Sequence, residues 1–213
     1  RLSKADALGQ LIEKFLDKDI NLSPNQVGDL PALDNHSMGT IFEELLRKFS
    51  EMSNETAGEH YTPREVIHLA VNLLTAMDEQ ALTSQAPVRT FYDPAAGTGG
   101  MLTVGQDEVE QMNPSATVQV FGQELNPETW AIARSDLMIK GQDPSAMALG
   151  NSLSEDAFPG QTFDYMLANP PYGVDWKAYA QPIQDEHKNR GFDGRFGPGL
   201  PRVSDGSMLF LLH

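Results

Sequence analysis

The chain has 213 residues, 15 basic against 30 acidic for a net charge of −15, no cysteine, and 40% hydrophobic against 21% charged residues. That balance fits one globular domain, or a core domain with a small helical appendage, and excludes a disordered chain, a disulfide scaffold, a Cys-based zinc site and a thiol nucleophile. The acid excess excludes a stand-alone nucleic-acid binder, which needs clustered Lys and Arg; no apolar run is long enough to span a membrane, and the missing cysteines suit a reducing cytosol. The opening Arg1-Leu2-Ser3-Lys4 lacks an initiating Met and an apolar signal core, and the apolar run from Met208 to Leu212 breaks off at His213. A piece of a longer protein is therefore expected.

The first eighty residues read as helical. Ser3 is placed to cap a helix through Leu8, Leu11, Ile12, Phe15 and Leu16. A linker rich in Asn, Pro and Gly runs from Asn21 to His36. Met38, Ile41, Phe42, Leu45, Leu46 and Phe49 then recur at three- and four-residue spacing, which predicts an amphipathic helix. The polar stretch Ser53 to Tyr61 reads as a loop. Thr62-Pro63-Arg64-Glu65 reads as a helix start, with Thr62 as N-cap, Pro63 at the first helical position and Glu65 closing a capping box. Val66, Ile67, Leu69, Ala70, Leu73, Leu74 and Met77 supply its apolar face.

From residue 88 short strands alternate with helices. Val88 to Tyr92 leads into Asp93-Pro94-Ala95-Ala96-Gly97-Thr98-Gly99-Gly100 and a helix from about Met101. Val118 to Phe121 ends at Gln123-Glu124, and Asn126-Pro127-Glu128 caps the next helix. Ala146 to Leu149 and Phe163 to Ala168 are the third and fourth strands. This alternation predicts a parallel α/β sheet with right-handed crossovers. Residues 173–204, rich in Gly, Pro and charge, read as a long loop.

Ligands of open α/β sheets bind outside the carboxyl ends of the strands. At the first end, small residues let the backbone pass close to a ligand, and Gly97, Gly99 and Gly100 tolerate positive φ. An ordinary tight turn has the same composition. Leu102 replaces the third glycine of a dinucleotide fingerprint, and the Gly-Lys-Ser/Thr of a P-loop is missing. At the second end, Glu124 suits two ribose hydroxyls or a helix cap. At the third, Asn151 or Ser152 suits an adenine edge or simple turn chemistry. At the fourth, Pro170 and Pro171 fix the backbone and present Asn169 and the Pro170 carbonyl as acceptors, beside the flat ring of Tyr172. Two acceptors hold the hydrogens of an exocyclic amine and stabilise the charge that builds as its nitrogen attacks.

Together these strand ends resemble the motifs of S-adenosylmethionine-dependent N6-adenine DNA methyltransferases. Glu59-His60-Tyr61-Thr62-Pro63-Arg64, before the Gly-rich strand, narrows the resemblance to the modification subunits of type I restriction–modification systems. The helix from Met38 to Phe49, Gly197-Pro198-Gly199-Leu200-Pro201, and Ser204 to Leu212 are also similar to that subunit. The resemblance implies a Rossmann-like methyltransferase sheet, truncated after its fourth strand and preceded by a helical region, with a boundary near residue 60. It implies S-adenosyl-L-methionine as cofactor. Asp93, Ala95 and Gly97 would lie in its site. Glu59 to Arg64 and Thr98 to Gly100 would meet its methionine end, Glu124 its ribose and Asn151, where the family often has an acid, its adenine. Asn169, Pro170, Pro171 and Tyr172 would bind the flipped target adenine. The implied partners are double-stranded DNA, a DNA specificity subunit and a restriction subunit. Lys188, Arg190, Arg195 and Arg202 make a locally basic stretch, suited equally to DNA contact or to a solvated loop. Methylation of a protein glutamine amide, and an assembly fragment without catalytic competence, are the alternative readings.

Overall fold

The computed structural model describes residues 7–34, 37–38, 41, 44–45, 48 and 62–213. Ser3, Phe42, Leu46, Phe49 and the Glu59-His60-Tyr61 segment lie outside the described residues. Helix α1 (Ala7–Phe15) occurs where its periodicity predicts it, with Ile12 and Phe15 exposed. The described residues between 37 and 48 are helical, and Ile41 and Leu45 are exposed.

Helix α2 (Arg64–Thr75) departs from its predicted start. Pro63, at φ −55° and ψ 136°, occupies the N-cap position, and no side chain caps the helix. Thr62 therefore stands outside the helix, and Glu65 closes no capping box. The buried stripe also differs. Ile67 and Val71 pack on Met101 and Val104, while Val66, Leu69, Leu73 and Met77 are exposed. The helix is apolar on more than one stripe, so periodicity alone does not select the face that meets its neighbour.

A short helix α3 (Glu79–Leu82) precedes the sheet. Strands β1 (Val88–Asp93), β2 (Thr117–Glu124), β3 (Met147–Leu149) and β4 (Tyr165–Met166) alternate with α4 (Gly100–Met112) and α5 (Pro127–Ile139). All pairings are parallel, in the order β3-β2-β1-β4. The chain thus winds outward from β1 through β2 to β3, then returns to pair β4 on the other side of β1. Strand β4 is shorter than its apolar run, since only Tyr165 and Met166 pair with Phe91 and Tyr92.

Successive side chains of β1 point to opposite faces. Phe91 joins Leu102 and Val109 of α4, Ala133 and Leu137 of α5, and Val118 and Val120 of β2 in the main core. Tyr92 points the other way, stacked on Phe163 with centroids 4.5 Å apart and edge-on to Phe158. Asn126 caps α5 by accepting from the Glu128 and Thr129 N–H groups, as its sequence predicts.

Residues 173–204 are not a long loop. They contain α6 (Ala180–Arg190), flanked by two short 3-10 turns. With α7 (Ser207–Leu212) they enclose a second core of Leu153, Trp176, Ile183, Phe196 and Leu209. Helix α6 buries only Ile183, so it carries no hydrophobic periodicity to read. Arg195, expected on a basic surface stretch, is largely buried and ion-paired with Glu186 at 2.6 Å.

Among the described residues no helix is long and apolar enough to cross a membrane.

Candidate active site

The winding reverses between β1 and β4, and the carboxyl ends of strands at such a switch point are where open α/β sheets bind ligands. The Gly-rich turn leaves β1 there, and Asn169 follows β4 by three residues.

Asp93 ends β1 with 2% of its surface exposed. Its Oδ1 accepts the Ala95 N–H at 2.9 Å and so starts the turn. Gly97 (φ 55°) and Gly99 (φ 86°) adopt left-handed backbone that side chains disfavour. Gly99 is the N-cap position of α4, and Gly100 is its first residue. The amides of that first turn have no intrahelical acceptors, which favours negative charge at this point. Thr98 lies partly exposed between the two glycines.

Glu124 ends β2 beside this turn. Its Oε2 accepts the Gly97 N–H at 2.9 Å and its Oε1 accepts the Asn126 N–H at 2.7 Å. One carboxylate therefore links the Gly-rich turn to the cap of α5. Asn151, after β3, is half-buried, and its Oδ1 accepts the Leu153 N–H at 2.9 Å.

Two residues that sequence reading did not single out as supports hold these loops. Buried Gln123 donates from Nε2 to the Glu155 carbonyl at 2.7 Å and accepts the Ala157 N–H at 3.1 Å. The Ser152 hydroxyl, considered as an adenine contact, instead donates to the Pro94 carbonyl and clasps the loop after β3 to the Gly-rich turn. A glutamine inside a strand and a serine in a turn carry no sequence signal for such long-range bonds.

At the β4 end Asn169 is exposed, and Pro170 and Pro171 follow it. Tyr172 is 96% exposed, so its ring is open to a planar ligand. Asn169 Nδ2 lies 3.1 Å from Thr62 Oγ1, to which it donates. The start of α2 is thereby brought to the same strand end. Arg64 acts on another group. Burial pushes the Asp136 carboxyl up, Lys140 opposes this at 3.1 Å, and Arg64 adds a smaller opposing attraction.

The Asp93 carboxyl is pushed up to about 7, chiefly by burial, against the Ala95 hydrogen bond and with help from the Glu124 charge. In the unfolded chain it ionises near its ordinary 3.8. Between those values the folded state holds the proton more tightly, so stability falls as pH rises through the window and stays lower above it. Asp93→Asn keeps an oxygen for the Ala95 N–H and removes the titration. Urea midpoints measured from pH 5 to pH 8 are expected to shift progressively in favour of the mutant. A difference independent of pH would contradict this assignment.

The family model for N-6 DNA methylases matches residues 33–213. The chain belongs to that family. It is 29% identical over 142 residues to the type I restriction enzyme MjaIX methylase subunit of Methanocaldococcus jannaschii, covering 66% of this chain and 24% of that protein. It is 24% identical over 178 residues to the HindI methylase subunit of Haemophilus influenzae, covering 83% and 36%. Among solved structures, it matches a type I restriction–modification methyltransferase subunit from Streptococcus thermophilus with a TM-score of 0.64 and 32% identity, over 84% of this chain and 36% of that one. A class I S-adenosylmethionine-dependent methyltransferase fold from Listeria monocytogenes matches over 99% of this chain and 55% of that one with a TM-score of 0.65; at 17% identity that likeness concerns the fold alone. The chain spans about a quarter to a third of the curated relatives' length.

Proposed function

We propose that this chain is the cofactor-binding and adenine-binding part of a site-specific DNA methyltransferase, the methylating subunit of a cytoplasmic type I restriction–modification complex. The reading rests on the sheet order: β1 and β4 are neighbours, with the Gly-rich turn and Asn169 at their carboxyl ends. Residues 1–60 are assigned to the end of a helical, partner-facing domain and 61–213 to the first part of the catalytic domain. The partners are a DNA specificity subunit, a restriction subunit and duplex DNA. With sequence reading delegated to the specificity subunit, a net charge of −15 is compatible with DNA modification.

The residues fit S-adenosyl-L-methionine. Gly97, Thr98, Gly99 and Gly100 leave room for close backbone approach, and the first turn of α4 favours a carboxylate. Glu124 would supply the acid for two ribose hydroxyls, its carboxylate having acceptor capacity beyond the bonds from Gly97 N–H and Asn126 N–H. The cofactor supplies an electrophilic methyl group. Asn169 Oδ1 and the Pro170 carbonyl accept the two hydrogens of the adenine amine. They would orient its lone pair and stabilise the positive charge that builds as the nitrogen–carbon bond forms and the methyl–sulfur bond breaks; the sulfur leaves as the neutral thioether, and the methylated amine then loses one proton to solvent. Tyr172 offers its face to the flipped base, and such stacking contributes about 1–3 kcal/mol.

The test uses the full-length subunit with its specificity partner, methyl-labelled cofactor and duplex DNA. Label recovered as N6-methyladenine is the expected result. Label recovered in protein glutamine instead would overturn the reading in favour of amide methylation. Glu124→Ala is expected to weaken cofactor binding about ten- to a hundredfold, since charge-assisted hydrogen bonds contribute roughly 1.5–3 kcal/mol. Calorimetry with S-adenosyl-L-methionine measures this directly, and unchanged affinity removes Glu124 from the ribose site.

A further inference from the structure

We infer that the Thr62 hydroxyl is a positioning group for Asn169, anchoring its side-chain amide at the strand end with Oδ1 left free to face the target amine. The inference rests on the function proposed above and deepens it with a residue 107 positions away from the strand-end motif.

An asparagine amide has two orientations of nearly equal shape but opposite hydrogen-bonding character. A methyl acceptor amine needs the oxygen, because its own hydrogens are donors. Rotating the amide presents Nδ2 and repels that amine. Asn169 is exposed, so packing does not choose between the two. The bond from Nδ2 to Thr62 Oγ1, at 3.1 Å, anchors the side chain in the orientation that leaves Oδ1 free for the amine. Donation from Nδ2 also polarises the amide and strengthens Oδ1 as an acceptor.

The pairing is held from both sides. Thr62 precedes Pro63, and Asn169 precedes Pro170. A residue before proline is confined to extended backbone, so both side chains project from restricted positions. Thr62 is also released from helix capping, because Pro63 takes the N-cap position and no side chain caps α2. Leu167, two residues before Asn169, packs against the cluster containing Ile67 and Val71 of α2. The apolar core thereby sets the distance between the helix start and the strand end.

Steady-state methylation by the full-length complex tests this with Thr62→Val, Thr62→Ser and Asn169→Ala, alone and combined. Thr62→Val keeps the shape and removes the acceptor. It is expected to lower kcat roughly three- to tenfold, the scale of one hydrogen bond, with an unchanged thermal midpoint. Thr62→Ser is expected to restore kcat. In the Asn169→Ala background, Thr62→Val is expected to add no further loss in single-turnover rate. The inference is overturned if Thr62→Val turns over at the parent rate, if it changes only cofactor affinity, or if Ser is as slow as Val. It is equally overturned if Val slows the Asn169→Ala protein by the same factor as the parent. A fully active Asn169→Ala protein would overturn the proposed function itself, so the two failures are distinct.

Discussion

Asn169→Ala is expected to slow methyl transfer about a hundred- to a thousandfold while leaving cofactor affinity unchanged. The size follows from removing one preorganised acceptor at the atom where charge develops. The separation of the two effects follows from position. Asn169 stands at the end of β4, whereas Glu124 and the Gly-rich turn stand at the ends of β2 and β1. Its exposed side chain carries little of the fold, so the substitution is expected to leave the unfolding free energy within about 0.5 kcal/mol of the parent, the range of surface changes. Single-turnover methylation of a duplex bearing the target site, with calorimetry for the cofactor, measures both quantities. A mutant that methylates at the parent rate removes Asn169 from the chemistry. Equal losses in cofactor affinity and rate would instead place it in the cofactor site.

The strand ends were legible because each obeys a local rule. Asp93-Pro94 and the glycines at 97, 99 and 100 announce a strand running into a helix with a backbone no other composition makes so easily. Asn126-Pro127-Glu128 announces a capped helix, and the structure shows that cap. The parallel sheet followed from alternation alone. The long-range contacts were not legible. Thr62 reads as an N-cap from its neighbours, yet its hydroxyl meets Asn169, 107 residues away, while Pro63 ends the extended entry to the helix. Asn151 follows a local rule, since its Oδ1 closes its own turn, one of the two readings open at that position.

The second core was hidden for a different reason. Helix α6 buries a single residue, Ile183, and its helical turns lie between segments rich in Gly and Pro. The segment packs on apolar residues scattered along it, Trp176, Ile183, Phe196 and Leu209, and is tied together by one polar side chain. A sequence read for charge assigns Arg195 to solvent or to phosphate. Its neighbours in space are Glu186, two carbonyls and an imidazole.

Arg195→Met is therefore expected to destabilise the fold by about 1–3 kcal/mol, the scale for leaving the acceptors of a partly buried charge-assisted network without their donor. Arg195 Nη2 donates to Glu186 Oε2 at 2.6 Å, and Nε lies 3.1 Å from both carboxylate oxygens. Nη1 donates to the Ser152 carbonyl at 2.6 Å, and Nη2 to the Leu153 carbonyl at 3.2 Å. Burial pushes the Glu186 carboxyl up, but the bonds from Arg195 outweigh this and hold it below its ordinary value. A guanidinium only donates, so His213 Nδ1, at 2.9 Å from Nη1, is the acceptor, and its Nε2–H donates to the Tyr92 hydroxyl at 2.8 Å. Burial and the Arg195 charge lower the His213 imidazole to about 4, consistent with that neutral tautomer. Methionine preserves much of the apolar length but strands Glu186 and both carbonyls. Arg195→Lys keeps the charge without the fork and is expected to fall between the two. Arg195→Met with Glu186→Leu removes both charges and is expected to recover much of the loss. The damage also reaches the site, because Ser152 joins the same loop to the Pro94 carbonyl of the Gly-rich turn, so cofactor affinity falls with stability. Urea unfolding of the parent and these three variants measures the energies. If Arg195→Met unfolds at the parent midpoint but binds DNA more weakly, with a shallower dependence on salt, Arg195 contacts phosphate and not Glu186.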